Sequence, residues 1–275
     1  MTHGQKTHHT LKVALAGATA LIAGAGLAGC ATTGVSGAGA HPDFSGYFNL
    51  AREDKAHDPE LMALVPPGTV DMLDTGAAEF PRYEYGGLIL TPEAEEVAET
   101  WDPLDDFTLS KACEAPSIAY SMQGPFPIEI IQTDELIVIR MEYFDVTRFV
   151  FMDRDEHLPA DAPHSKAGDS IGHFEGDILV VDTTHLEPST LTNNGLYHSD
   201  QMHVIERFKL IDDGQTLIAS QEYEDPEMFT NRGVRYITWT RQDDYIYPYE
   251  CDPTFALEYM AAKEREDAER AAAGN

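Results

Sequence analysis

The sequence predicts a mainly β protein, because of its periodicity, its turns and the loops that it lacks. From Ile118 to Tyr249, apolar and polar residues alternate with a period of two, which is typical of strands with one buried face. Short turns rich in Gly, Asp, Asn and Pro separate the alternating stretches, so successive strands are expected to pair antiparallel. Glycine-rich loops that open a helix are missing from the sequence, so neither a Rossmann fold nor a P-loop is supported.

Nine strands are predicted, at residues 118–122, 127–132, 135–143, 146–153, 170–175, 177–184, 202–211, 215–224 and 234–241. An antiparallel meander of this size can remove its exposed edges by closing into a barrel, or it can pack as a sandwich. We expect a barrel of the lipocalin-like (calycin) type. It would form a single β-rich domain over residues 42–252.

Helices are expected on both sides of the strands. Thr91 is a favourable N-cap, Pro92 suits the first helical position, and glutamates follow near the positive end of the helix dipole. These residues predict an N-terminal helical lead-in that ends near residue 101. The stretch 50–88 is expected to be irregular with one short helix, and residues 253–275 are expected to form a C-terminal helix.

The N-terminus resembles the signal peptide of a bacterial lipoprotein. Two lysines, Lys6 and Lys12, precede an apolar run at residues 13–26 that is too short to span a bilayer permanently. The following Leu27-Ala28-Gly29-Cys30 resembles a lipobox, which implies removal of residues 1–29 and lipidation of Cys30. The alternative is an ordinary secretory peptide with a chance cysteine.

The predicted anchor implies a location in the bacterial cell envelope. Residues 30–41 are expected to form an acylated cysteine followed by a flexible tether rich in Gly and Ala. Two or three acyl chains hold a protein on a membrane lastingly, whereas one chain is marginal. Ala31 stands where lipoproteins retained in the inner membrane often have an aspartate. We therefore expect an outer-membrane lipoprotein that faces the periplasm.

The charge of the chain excludes nucleic acid as a partner. Residues 1–29 contain two lysines and no acidic residue, so the mature part carries 48 acidic and 16 basic residues and a net charge of −32. Nucleic-acid binding needs a basic surface. An anionic membrane surface would also repel this protein.

The cysteines indicate a disulfide. With Cys30 lipidated, Cys113 and Cys251 remain as a pair in an oxidising compartment, and we expect them to be bonded. Two separate buried thiols are the alternative. Two cysteines without a CxxC or Cys/His cluster make a poor zinc site, and no metal site is predicted.

Five charged residues are predicted to share the inner face of the barrel with apolar ones. Strand alternation places each of them on the same side of its strand as two or more apolar residues; they are Arg140, Glu142, Arg148, Asp182 and Glu206. Buried charges must pair, meet water or meet a ligand, so this set is a candidate ligand-binding cluster. The alternative is that several of them reach solvent near strand ends or form structural ion pairs.

His198 and Glu206 are the candidate catalytic residues. His198 lies at the turn into a strand that contains Glu206, and a histidine near a carboxylate can transfer protons near neutral pH. Neither an HExxH spacing nor a G-x-S-x-G nucleophile elbow occurs in the sequence. No cofactor is predicted.

Residues 170–183, read together with His198-Ser199 and with 204–208, resemble a bacterial family. Its members are secreted proteins and lipoproteins that read S-I-G-x-W-E-G-D-T-L-V-V-x-T, then HS or QS, then V-E-R-F. Further matches lie at residues 43–46, 90–93, 101–103, 127–132, 225–226 and 248–251, and departures lie at His173, Phe174 and Ile178. The resemblance implies a β-rich fold and an envelope location, and it implies no activity.

Three functions agree with these observations. The first is binding of a small, partly apolar ligand in the barrel. The second is a cofactor-independent lyase, isomerase or hydrolase that uses a carboxylate and His198. The third is an envelope assembly or interaction protein with the C-terminal helix as its contact surface.

Overall fold

The computed structural model describes residues 41–73, 80–102 and 108–273. The predicted signal peptide (1–29), the predicted lipidation of Cys30 and residues 31–40 of the predicted tether lie outside the described residues. Among the helices that the structure describes, none is both long enough and apolar enough to cross a membrane.

Nine strands close into a β-barrel, as the alternation predicts. The ring runs β1-β3-β4-β5-β6-β7-β10-β11-β12, and β12 pairs back onto β1. The short strand β2 pairs parallel with the start of β12, and β8 and β9 form a separate ribbon. The strands are β1 (Gly46–Leu50), β2 (Val70–Asp71), β3 (Ile128–Gln132), β4 (Leu136–Met141), β5 (Thr147–Phe151), β6 (Asp169–Glu175), β7 (Ile178–Thr184), β8 (Ser189–Thr190), β9 (Tyr197–His198), β10 (His203–Ile211), β11 (Thr216–Glu224) and β12 (Gly233–Gln242).

One pair of neighbours in the ring is parallel. Strands β5 and β6 pair through Val150 with Ser170 and Phe151 with Ile171, while every other pair in the ring is antiparallel. A ring with an odd number of strands cannot alternate direction throughout, so one parallel pair is required. Because β5 and β6 run in the same direction, the connection 152–168 has to bring the chain back from the end of β5 to the start of β6.

Eight of the nine predicted strands are present with nearly the expected bounds. The ninth, 118–122, is instead the short helix α3 (Ile118–Ser121), and the strand prediction there is wrong. Ile118, Ala119 and Met122 are all buried, and periodicity cannot distinguish a short apolar run that is buried on all sides from a strand. Strand β1, which closes the ring, lies at 46–50, where no strand is predicted.

The outer surface of one part of the barrel is covered by the segment that follows β1. Ala56 and Leu61, the latter in helix α1 (Pro59–Leu64), pack against Ile178, Val180 and Ile218 on β7 and β11. These strands are therefore apolar on both faces, since one face lines the interior and the other lies under α1.

The predicted helices are confirmed. In α2 (Pro92–Thr100), the Thr91 hydroxyl accepts a hydrogen bond from the backbone N–H of Ala94 at 3.2 Å. The C-terminal helix α4 (Ala256–Ala273) follows a single 3-10 turn at Pro253–Phe255, and most of its side chains are exposed.

The predicted disulfide is also confirmed. Cys113 and Cys251 are bonded across a sequence separation of 138 residues. The bond joins the segment before α3 to the segment after β12. Eight of the nine ring strands, all except β1, lie within the closed loop.

Candidate functional site

A buried ion pair crosses the interior of the barrel between β5 and β10. Arg148 Nη1 donates to Glu206 Oε2 at 2.6 Å, and the two side chains are 0% and 1% exposed. Arg148 Nη2 donates to Ser170 Oγ at 3.1 Å and to Thr183 Oγ1 at 3.0 Å. Burying two charges is costly unless further hydrogen bonds satisfy them, and these hydroxyls provide such bonds.

Gln221 extends this network to α3. Its Nε2 donates to Glu206 Oε1 at 3.0 Å and lies 3.3 Å from the carbonyl oxygen of Ile118. The hydroxyl of Tyr223 lies 3.2 Å from the carbonyl oxygen of Ala119. Side chains of the barrel strands thus donate hydrogen bonds to the carbonyl groups of Ile118 and Ala119 in α3. Protein groups therefore fill the interior at the end of the barrel where α3 lies, which we call the α3 end.

Two of the five charged residues predicted to line the interior lie there, namely Arg148 and Glu206, and they contact each other. The prediction of an interior position is wrong for the other three, which are Arg140, Glu142 and Asp182. The two inner residues pair with each other, which is one of the outcomes expected for buried charges.

Arg140 and Glu142 lie outside the barrel near the end of β4. Arg140 is exposed and forms an ion pair with Glu129 of β3. Glu142 follows the strand and accepts a hydrogen bond from the backbone N–H of Tyr247 at 2.8 Å. Alternation shows that residues share a face, but it cannot show whether that face is the inner one when both faces of β4 are apolar.

Asp182 lies on the outer face of β7 with two histidines. Its Oδ1 is 2.9 Å from His157 Nε2 and 2.8 Å from His203 Nε2. His157 Nδ1 is 2.9 Å from Asp169 Oδ2, and Arg154 Nη2 donates to the other oxygen of Asp169 at 2.5 Å. Nitrogen-bearing side chains and carboxylates therefore alternate along this row, which is a hydrogen-bonded network on the barrel wall.

The row makes stability depend on pH. The hydrogen bond to Asp182 raises the pKa of His203 above its ordinary value. A raised pKa adds stability below the unfolded-state value of about 6.5, and this stability is lost as the pH rises through the folded-state pKa. We expect the free energy of unfolding to fall more between pH 6 and pH 9 in the wild type than in His203→Gln, by no more than about 1 kcal/mol because the pair is partly exposed. Denaturant unfolding across this pH range measures the difference, and parallel curves for the two proteins would contradict it.

His198 is a buried structural residue at the α3 end. Its side chain is 1% exposed, and its Nδ1 lies 2.9 Å from the carbonyl oxygen of Ser199. Its Nε2 lies 2.6 Å from Ser117 Oγ, at the N-cap of α3. Burial lowers the pKa of His198, so the imidazole is neutral and accepts from the Ser117 hydroxyl. Both ring nitrogens are engaged, and Glu206 contacts Arg148 and Gln221 rather than His198.

A cleft of about 750 Å³ opens in the barrel wall at the α3 end. On one edge, strand β12 pairs with β1 as far as Thr238 and with β2 as far as Val234. Residues 235–237 of β12 therefore border a gap between β1 and β2. The cleft is lined by Asn49, Leu50, Ala51, Arg52, Glu53, Asp54, His57, Asp71, Met72, Leu73, Gln123, Pro125, Arg235, Tyr236, Ile237 and Thr238. Apolar side chains therefore lie beside cationic and anionic ones in one concave surface.

His57 joins the two walls of the cleft. Its Nε2 lies 2.7 Å from Asp71 Oδ2, and its Nδ1 is hydrogen-bonded to Asp54. Burial alone would lower the pKa of His57, but the hydrogen bonds to Asp71 and Asp54 outweigh it and raise the pKa. The ring also packs on Tyr236, with the centroids 4.3 Å apart. The cleft wall is thereby held in a defined shape.

Sequence reasoning missed this cleft, because its walls come from four distant stretches, at 49–57, 71–73, 123–125 and 235–238. The spacing of Asp54 and His57 is the one local signal for it, since a carboxylate and an imidazole three residues apart can pair. Within the described residues, no group of three or more His, Cys, Asp and Glu side chains is arranged to hold a metal ion.

Comparison with models of protein families and with curated protein sequences gives no match. The geometry of the barrel and of its cleft is therefore the basis from which a function can be inferred.

Proposed function

We propose that this protein is an outer-membrane lipoprotein, anchored at Cys30 and facing the periplasm, that binds a small, partly apolar ligand. The observation that carries the binding proposal is the cleft between β1, β2 and β12. Ligand sites are usually concave, span roughly 300–1,000 Å³ and combine apolar walls with a few polar groups. The cleft meets each of these conditions, whereas the barrel interior at the α3 end is occupied by Arg148, Glu206 and α3.

The lining predicts the chemistry of the ligand. Leu50, Met72 and Ile237 offer apolar contact, and the exposed Arg52 brings positive charge, whereas the guanidinium of Arg235 is buried and already donates to protein oxygens. The carboxylates of Asp54 and Asp71 are already engaged by His57. We therefore favour a ligand with an apolar body and an anionic or hydrogen-bond-accepting group.

The native mass of the full chain, purified from the bacterial envelope and compared with its denatured mass, tests this proposal. A ligand lost on denaturation appears as a reproducible mass difference. For the protein without such a ligand, decanoate serves as the probe, and decyltrimethylammonium serves as the matched cation. We expect decanoate to raise the melting temperature more than the cation does.

Ala51→Trp locates the binding site. A tryptophan at position 51 fills part of the cleft and should abolish the effect of decanoate, whereas Ala162→Trp, outside the cleft and also half-buried, should leave it unchanged. Equal native and denatured masses together with no response to either probe would contradict ligand binding. A response that survives Ala51→Trp would place the ligand elsewhere.

A second candidate function, assembly with an envelope partner through α4, is favoured by one observation. The first turns of α4 expose Leu257, Tyr259 and Met260, although the rest of the helix is strongly charged. Deleting residues 256–275 should abolish such an assembly and leave ligand binding in the cleft intact. An acid–base enzyme built on His198 and Glu206 is not favoured, because the His198 ring is 1% exposed and Glu206 contacts Arg148 and Gln221 instead.

A further inference from the structure

The outer face of β3 to β6 carries a band of apolar side chains. Ile131, Val138 and Phe149 are direct neighbours across β3, β4 and β5, and Leu136, Phe151 and Ile171 form the adjacent row across β4, β5 and β6. We call these six residues the apolar face. At its centre, Ile131 is 44% exposed and Phe149 is 49% exposed.

This face differs from the other apolar outer surface of the barrel. On β7 and β11, outward-facing Ile178, Val180 and Ile218 lie beneath Ala56 and Leu61 and are buried. On β3 to β6, no described segment covers Ile131 and Phe149 in the same way. Contiguous exposed apolar side chains commonly mark a surface that contacts a protein or a membrane.

The described chain begins at the end of the barrel where β3 and β6 end, next to the apolar face. The His41 ring stacks on Phe174 at the end of β6, with the centroids 4.2 Å apart. Gln132 donates to the carbonyl oxygen of Pro42 at 3.0 Å and accepts from the N–H of Phe44 at 2.9 Å. Gln132 and Phe174 stand at inward-facing positions of their strands, whereas Ile131 and Ile171 face outward, so residues 41–44 lie at this barrel end and not on the apolar face itself.

The position of the anchor follows from chain length. Cys30 precedes His41 by eleven residues, which reach at most about 40 Å when fully extended. A lipid anchor at Cys30 would therefore keep the membrane surface within about 40 Å of His41, a distance that allows the apolar face to reach it.

Size and charge argue against a second copy as the occupant. A stable protein interface uses roughly 20–30 residues on each side, far more than the six residues of the apolar face. Two lipidated chains that each carry a net charge of −32 also repel each other. A weak contact is sufficient for a membrane, because an anchored domain is held at high effective concentration beside the lipid.

We propose that the apolar face docks on the lipid surface to which Cys30 is anchored, with Ile131 and Phe149 at the headgroup boundary. This inference rests on the lipid anchor of the proposed function. The net negative charge favours a zwitterionic surface over an anionic one. The cleft opens at the α3 end of the barrel, where β3 begins, whereas Ile131 lies near the opposite end of β3, so docking leaves the cleft open to the periplasm.

The test uses the full lipidated chain in phosphatidylcholine vesicles, with and without bromine on the acyl chains. Phe149→Trp places a fluorophore on the apolar face, and Leu257→Trp is the matched control on α4, since both native side chains are 49% exposed. Groups docked at an interface enter roughly the outer 5–10 Å of the bilayer, where brominated chains quench tryptophan. We expect the added emission of Phe149→Trp to fall by about half in brominated vesicles, and that of Leu257→Trp to stay unchanged.

Three results would overturn the proposal, and each has a different meaning. A protein that fails to float with the vesicles lacks the lipid anchor, so the proposed location fails as well. A protein that floats but shows no quenching of Phe149→Trp is anchored without docking. Blue-shifted emission of Phe149→Trp that depends on protein concentration and not on bromine would identify a second copy as the occupant.

Discussion

Glu206→Leu is expected to lower the free energy of unfolding by about 3–5 kcal/mol, because it leaves the guanidinium of Arg148 buried without its carboxylate. Arg148→Met should cost a similar amount, since it leaves the Glu206 carboxylate buried. The double variant should recover most of the loss, because an apolar pair of similar volume carries no charge into the barrel. Denaturant unfolding of the three variants and the wild type gives the coupling energy between the two residues.

Arg140→Met provides the matched control. It removes the same side chain from the neighbouring strand β4, but Arg140 is exposed and pairs with Glu129 at the surface. Exposed pairs contribute about 0–1 kcal/mol, so this variant should unfold nearly like the wild type. Equal losses for Arg140→Met and Arg148→Met, or a double variant no better than the sum of the single ones, would contradict a buried pair.

Loss of the disulfide between Cys113 and Cys251 is expected to cost about 3–5 kcal/mol. The bond closes a loop with a sequence separation of 138 residues, and the entropy that a crosslink removes from the unfolded chain grows with loop length, to roughly 5 kcal/mol at this size. Guanidinium unfolding of Cys113→Ser/Cys251→Ser, compared with the wild type, measures the change. Reductant should shift the wild-type midpoint towards that of the variant and leave the variant unchanged. A wild type insensitive to reductant after full unfolding and refolding would contradict the expected contribution.

The strands of the barrel could be predicted from the sequence because two local signals agree. Alternation of period two marks each strand, and turn residues such as Gly176, whose φ of 64° suits glycine, mark where the chain reverses. The short helix α3 could not be predicted, since its apolar run is buried by the barrel around it rather than by a partner on one face. Strand β1 has little alternation, and its pairing with both β3 and β12 makes it a strand.

The candidate site could be predicted only in part. Alternation placed Glu206 among apolar residues, and that residue does lie inside the barrel. The same argument placed Asp182 inside, although the outer face of β7 is apolar for a different reason, namely the packing of α1. The cleft could not be predicted at all, because it depends on where β2 and β1 end along β12, and strand ends of that kind follow from tertiary pairing.

The position of β1 outside the disulfide loop has a mechanical consequence. A pulling force applied between the proposed anchor and helix α4 reaches residue 41 first and then β1, the strand that closes the ring. Once β1 is detached, the chain can extend only as far as Cys113, because the covalent bond to Cys251 carries the load past the remaining eight ring strands. The extensible segment from residue 41 to residue 113 has a contour length of about 260 Å at most. Under tension the protein should therefore lengthen by a bounded amount and then stop, with the strands between the two cysteines shielded from the force.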